Sequence, residues 1–141
     1  MKIIVDTNRI IAALIKDSVS RKILLSGKFE FLTIGVTKLE IEKYKQEIIE
    51  KAQITEEGFD QIFSLLYSRI FVVGDIVIES KMEEAKLVMD KVDPNDTPFI
   101  ALALSVENDG IWSHDKHFEE QNKIRIWKTG VLFELLDENS E

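Results

Sequence analysis

At 141 residues the chain has room for one domain with a core and too little for two. Its 45% hydrophobic and 31% charged residues suit a soluble globular protein rather than a disordered one, and no apolar run reaches the roughly 20 residues that span a bilayer. Without cysteine there are no disulfides or thiolate metal sites, and a net charge of −8 argues against a broad basic face for nucleic acid.

The opening "MKIIVDTN" is too short an apolar stretch for a signal peptide, so a cytoplasmic location is expected. Within it, "KIIV" (2–5) suits a buried strand that ends at Asp6. "NRIIAALI" (8–15) has helical spacing, and "SVSRKILLSG" (18–27) reads as a second helix between serine caps and Gly27. "FEFLTI" (29–34) alternates like a strand. "TKLEIEKYKQEIIEK" (37–51) predicts one long helix with Leu39, Tyr44, Ile48 and Ile49 as its apolar stripe. A helix over 55–70 with Thr55 as its cap, a strand over 70–74 and a helix over 79–92 follow. "PFIALALSVEN" (98–108) is nearly all apolar, hence a buried helix. The chain closes with a strand at 110–113, a short helix at 115–121, a strand at 124–127 and a helix at 129–138. This alternation predicts an α/β fold with a mostly parallel central sheet and helices on both faces. No repeat or linker divides it, so residues 1–141 are expected to form a single domain.

In open parallel sheets, ligands bind just beyond the carboxyl ends of the strands. Asp6 follows the first strand, and Asp115 lies shortly after "GIWS". Each also suits an ordinary helix cap. Both prolines of the chain fall in "VDPNDTPFIALALS" (92–105). Pro94 stops the preceding helix near Asp93, and Pro98 suits a first helical position, with Thr97 as the N-cap. Two readings of Asp96 then stand: an ordinary cap, or a carboxylate aimed into the crevice. Glu40 opens a helix otherwise lined by the solvated acids Glu42, Glu47 and Glu50. Four carboxylates meeting in one crevice would repel one another without cations, and oxygen ligands favour Mg²⁺ or Mn²⁺ over zinc.

"IIVDTN", "TKLEIEKY", "DPNDTPFIALAL" and "GIWSHDKHF" together resemble the four motifs of PIN-domain nucleases, from Met1 to about Trp127. The resemblance implies a three-layer PIN-like fold. It implies that Asp6, Glu40, Asp96 and Asp115 are the metal-holding catalytic acids, supported by Asn8 and Ser113. Arg9 departs from the usual aliphatic residue, and Ser113 from the commoner threonine; neither removes a ligand. Implied further are Mg²⁺, with Mn²⁺ able to substitute, and phosphodiester hydrolysis of RNA by a metal-activated water. Members include toxins of VapBC-type toxin–antitoxin pairs, which adds an antitoxin protein and a homodimer to the expected partners. No membrane association is expected.

Several residues are read as outside the site. With no cysteine and no third histidine, His114 and His117 read as surface positions. Asp93 has two readings, an outer acid of the site or a helix stop, and helix termination is enough to explain it. Trp112 and Trp127 read as core, and Asp75, Asp90 and the C-terminal "DENSE" as solvated. Arg9, Arg21, Lys22 and Lys116 are candidates for phosphate contact. Two other functions compete: a non-catalytic PIN-like scaffold, and a receiver-like phosphoacceptor. The latter would want an acidic pair directly after the first strand, where this chain has "DTN".

Overall fold

The computed structural model describes residues 1–16, 18–89, 91 and 93–138, with the side chain of Glu138 excepted. Residues 90 and 92 of the expected helix end, the solvated Asp90 among them, and most of "DENSE" therefore lie outside the described residues. The elements run β1 (Lys2–Val5), α1 (Thr7–Ile15), α2 (Val19–Leu25), β2 (Glu30–Ile34), α3 (Val36–Lys43), α4 (Lys45–Ala52), α5 (Glu56–Tyr67) and β3 (Ile70–Val73). They continue with α6 (Asp75–Glu79), α7 (Met82–Met89), α8 (Thr97–Ser105), β4 (Ile111–Trp112), a 3₁₀ turn (Lys116–Glu120), β5 (Ile126–Trp127) and α9 (Thr129–Glu138).

The five strands form one parallel sheet in the order β3-β2-β1-β4-β5. Side chains alternate across it, as a pleated strand requires. Ile3 and Val5 enter one core with α1 to α5 and α9, whereas Ile4 enters a second core with α6, α7 and α8. This gives three layers, helices on sheet on helices. Trp112 and Trp127 are buried in the first core, as expected of core residues.

Local chemistry accounts for several helix starts. Ser18 accepts a hydrogen bond from the Arg21 N–H and Thr55 from the Gly58 N–H, so each caps its helix. Among the described residues, three departures from the sequence reading stand out. The long helix over 37–51 is two helices that meet at Tyr44 (φ −101°, ψ 13°). The break rotates the apolar stripe: Ile41 and Ile48 are buried, while Leu39 is 72% and Tyr44 41% exposed. A short α6 starts at Asp75, where no element is expected; Asp75 itself is exposed, as expected. The helix expected over 98–108 ends at Ser105, where Asn108 Nδ2 takes over the Ala103 and Val106 carbonyls.

Thr97 is not the N-cap of α8. It is the first helical residue, and Asp96 holds the cap position without a side-chain capping bond. The Asp96 carboxylate is thus left for something else.

Candidate metal centre

In this strand order β1 lies between β2 and β4, so the chain departs to opposite sides of β1. Such a switch point opens a crevice at the carboxyl end of the sheet. Asp6 leaves β1 there and Asp115 leaves the loop after β4. Asp6, Thr7, Asn8, Glu40, Asp93, Asn95, Asp96, Phe99 and Asp115 line one cavity of about 200 Å³.

Each acid is held by its own element. Asp6 caps α1, accepting from the Arg9 N–H at 3.0 Å through Oδ1, and its Oδ2 accepts from the Ser113 hydroxyl. Ser113 is fully buried, and its Oγ also accepts from the Asp115 N–H at 3.0 Å. One hydroxyl therefore ties the ends of β1 and β4 together. Glu40 Oε1 accepts from the Thr7 hydroxyl at 3.2 Å. Asn8, the other supporting candidate, is exposed on the cavity wall.

Asp93 is not a mere helix stop facing solvent. Its N–H bonds the Met89 carbonyl, and Asp93 Oδ1 accepts from the Asn95 N–H, which turns its half-buried carboxylate into the cavity. His117 also departs from the sequence reading. Its ring is half exposed, yet Nδ1 lies 3.2 Å from Asp93 Oδ2, 3.3 Å from Asp115 Oδ1 and 3.7 Å from Asp96 Oδ2. Ligand atoms of Asp93, Asp96, Asp115 and His117 all fall within 4.8 Å of one another. Sequence spacing carried no signal for this: the 3₁₀ turn after Asp115 sets residue 117 back over residue 115, where Asp115 Oδ1 accepts from the His117 N–H. His114 stays apart, as expected. Trp112 Nε1 donates to Thr129 Oγ1, and His114 Nε2 meets the same hydroxyl at 2.6 Å while accepting from the Thr129 N–H. Arg21 is committed elsewhere too, its guanidinium bonding the Ala13 and Leu14 carbonyls.

The electrostatics match a site built for cations. Asp96 is only 8% exposed, and its Oδ2 has no hydrogen-bond partner. Burial pushes its pKa up to about 8, reinforced by the adjacent Asp115, Asp93 and Asp6 carboxyls. Burial also raises the Asp6 pKa, against the lowering effect of the Ser113 hydroxyl and the Arg9 N–H. Among the described residues, no lysine or arginine forms an ion pair with these acids. A buried, unpartnered carboxylate oxygen facing other carboxylates fits a divalent cation, which would relieve the repulsion.

A family model described as PIN domain matches residues 4–132. The chain belongs to the PIN-domain family. Comparison with curated proteins finds no match. Members of this family are generally nucleases and typically use divalent metals, so this PIN domain has a nuclease-type fold with an acidic cluster at its crevice. No helix among the described residues of the PIN domain is long and apolar enough to cross a membrane.

Proposed function

We propose that this PIN domain is a divalent-metal-dependent ribonuclease that hydrolyses phosphodiester bonds. The observation that carries the reading is the buried, unpartnered Asp96 Oδ2, set among Asp93, Asp115 and Asp6 at the switch point of a parallel sheet.

In this reading Asp6, Asp96 and Asp115 would hold a Mg²⁺ or Mn²⁺ ion, and Glu40 with a neighbouring aspartate would hold or orient a second. A bound divalent ion supplies Lewis acidity, which lowers the pKa of water and offsets charge on the scissile phosphate. The chain's own residues then have distinct tasks. Ser113 fixes Asp6 and Asp115 relative to each other, and Thr7 fixes Glu40. Phe99 supplies an apolar part of the cavity wall. Asn8, exposed beside Glu40, is placed to hydrogen-bond a substrate phosphate or sugar.

The charge of −8 is compatible with this, because four of its negatives belong to Asp6, Glu40, Asp96 and Asp115. A receiver-like phosphoacceptor has no support in the topology: that fold has strand order 2-1-3-4-5, whereas here the order is 3-2-1-4-5. The proposal extends to two partners, an antitoxin protein that blocks the cavity and a second copy in a symmetric homodimer. The test of the reading is cleavage of a fluorogenic RNA with and without Mg²⁺ or Mn²⁺. Divalent-dependent cleavage is expected. Metal binding without cleavage of any RNA would favour a non-catalytic scaffold.

A further inference from the structure

We propose that His117 is a nitrogen ligand of the divalent site, and that the site therefore prefers a transition-metal dication over Mg²⁺. The inference rests on the reading above that the cavity holds a divalent ion. It departs from an all-oxygen site, for which Mg²⁺ is the natural occupant.

The geometry is that of a shared centre. His117 Nδ1 faces three carboxylate oxygens at 3.2, 3.3 and 3.7 Å, and the four donor atoms lie within 4.8 Å of one another. One cation between them would meet all four with small side-chain adjustments. A second observation concerns burial and hydrogen bonding rather than distance. Asp96 is nine-tenths buried, and its Oδ2 faces the group without a hydrogen-bond partner. His117 Nδ1 is too far from that oxygen, at 3.7 Å, to satisfy it directly. A cation would satisfy it.

Backbone geometry supports the placement. The 3₁₀ turn begins at Asp115, whose carboxylate caps the His117 N–H. The imidazole is thus carried on the same turn as one of the carboxylates. The His117 side chain is half exposed, and its Nδ1 is the ring atom that faces the carboxylates. The chain's other histidine, His114, has its Nε2 occupied by Thr129 and does not compete. Three carboxylates with one imidazole suit Mn²⁺ and its transition-metal neighbours better than Mg²⁺, which binds imidazole poorly and prefers oxygen and water.

The experiment uses the full chain and Mn²⁺ as the probe. Calorimetric titrations with Mn²⁺ and Mg²⁺ are run on the wild type, His117→Gln and Asp96→Asn, and electron spin-echo spectra are recorded on the Mn²⁺-loaded proteins. We expect ¹⁴N modulation from a coordinated imidazole in the wild type and its loss in His117→Gln. Mn²⁺ affinity should fall about tenfold or more in His117→Gln, the scale of losing a ligand-level contact, with Mg²⁺ affinity changed much less. His114→Gln should keep the ¹⁴N signal. Wild-type protein that binds Mn²⁺ without nitrogen coupling, or His117→Gln that binds it as tightly as wild type, overturns the inference. In that case His117 is only an ion-pair partner, and the carboxylate site stands if Asp96→Asn still abolishes binding. Wild-type protein that binds neither ion overturns both the inference and the metal reading beneath it.

Discussion

Asp96 is the residue on which the electrostatics of the cavity turn. Its pKa is raised from 3.8 to about 8 in the folded, metal-free protein. A carboxyl raised on folding favours the native state while it is protonated. That contribution is fully present below about 3.8 and is lost as pH rises toward 8. Asp96→Asn has no such proton to lose. Without metal, its melting temperature should match or trail wild type near the lower end of that window and exceed it near the upper end. Melting curves across the range check this; parallel pH profiles for the two proteins would contradict it. Ser113→Ala should cost about 1–3 kcal/mol, because it strips a buried hydrogen bond from Asp6 and another from the Asp115 N–H. Denaturant unfolding measures that loss, and Mn²⁺ affinity should fall with it. At this scale, Asp6, Asp96 and Asp115 are legible as acids beside strand ends and a helix start, whereas Glu40, the fifth residue of α3, is legible only through the motif resemblance. The sequence leaves Asp93 with helix termination as the sufficient reading, and it hides His117. Their approach depends on how one loop stops after α7 and on how a 3₁₀ turn folds back after β4, and neither has a spacing signature.

Elements deliver these side chains, and the glycine before β4 controls one of the deliveries. Gly110 has φ +127°, a conformation that side chains beyond hydrogen rarely adopt, and an added Cβ would stand 2.5 Å from the Arg125 carbonyl oxygen. Gly110→Ala must therefore shift β4 against β5. We expect a loss of about 2–4 kcal/mol by chemical denaturation. Mn²⁺ binding should weaken as well, since the same strand aims Ser113 and Asp115. A variant as stable as wild type would contradict the account of this turn. Strand alternation and capping residues make most elements legible: "KIIV" splits its residues between two cores, and Ser18 and Thr55 cap where serine and threonine should. The 37–51 stretch is less legible. Its helix-forming residues continue without pause through Tyr44, and the break accompanies the packing of Ile41 and Ile48 into one core. The same holds for α6, five residues long, whose Ile78 is buried against α8 by tertiary contact.

For the whole molecule, the arrangement that matters is the strand order 3-2-1-4-5. It places the ends of β1 and β4 side by side, and with them Asp6 and Asp115. Alternation along the chain predicts a parallel sheet but not which strand lies beside which, so the meeting of these two ends is a fact of the fold. The net charge of −8 also acts at this scale. With few phosphate contacts, RNA affinity should depend weakly on salt, with a log–log slope of about −2, as for two or three single-strand contacts. A slope several times steeper would contradict this and point to a broad basic contact surface. The most direct test of the central claim is RNA cleavage by wild type and Asp6→Asn, each with Mn²⁺ and with chelator. The Asn variant keeps the oxygen that caps α1, so it should fold. Wild type should cleave only when the metal is present, and the variant should not cleave at all. Cleavage that survives chelation, or a variant that cleaves at the wild-type rate, would contradict it.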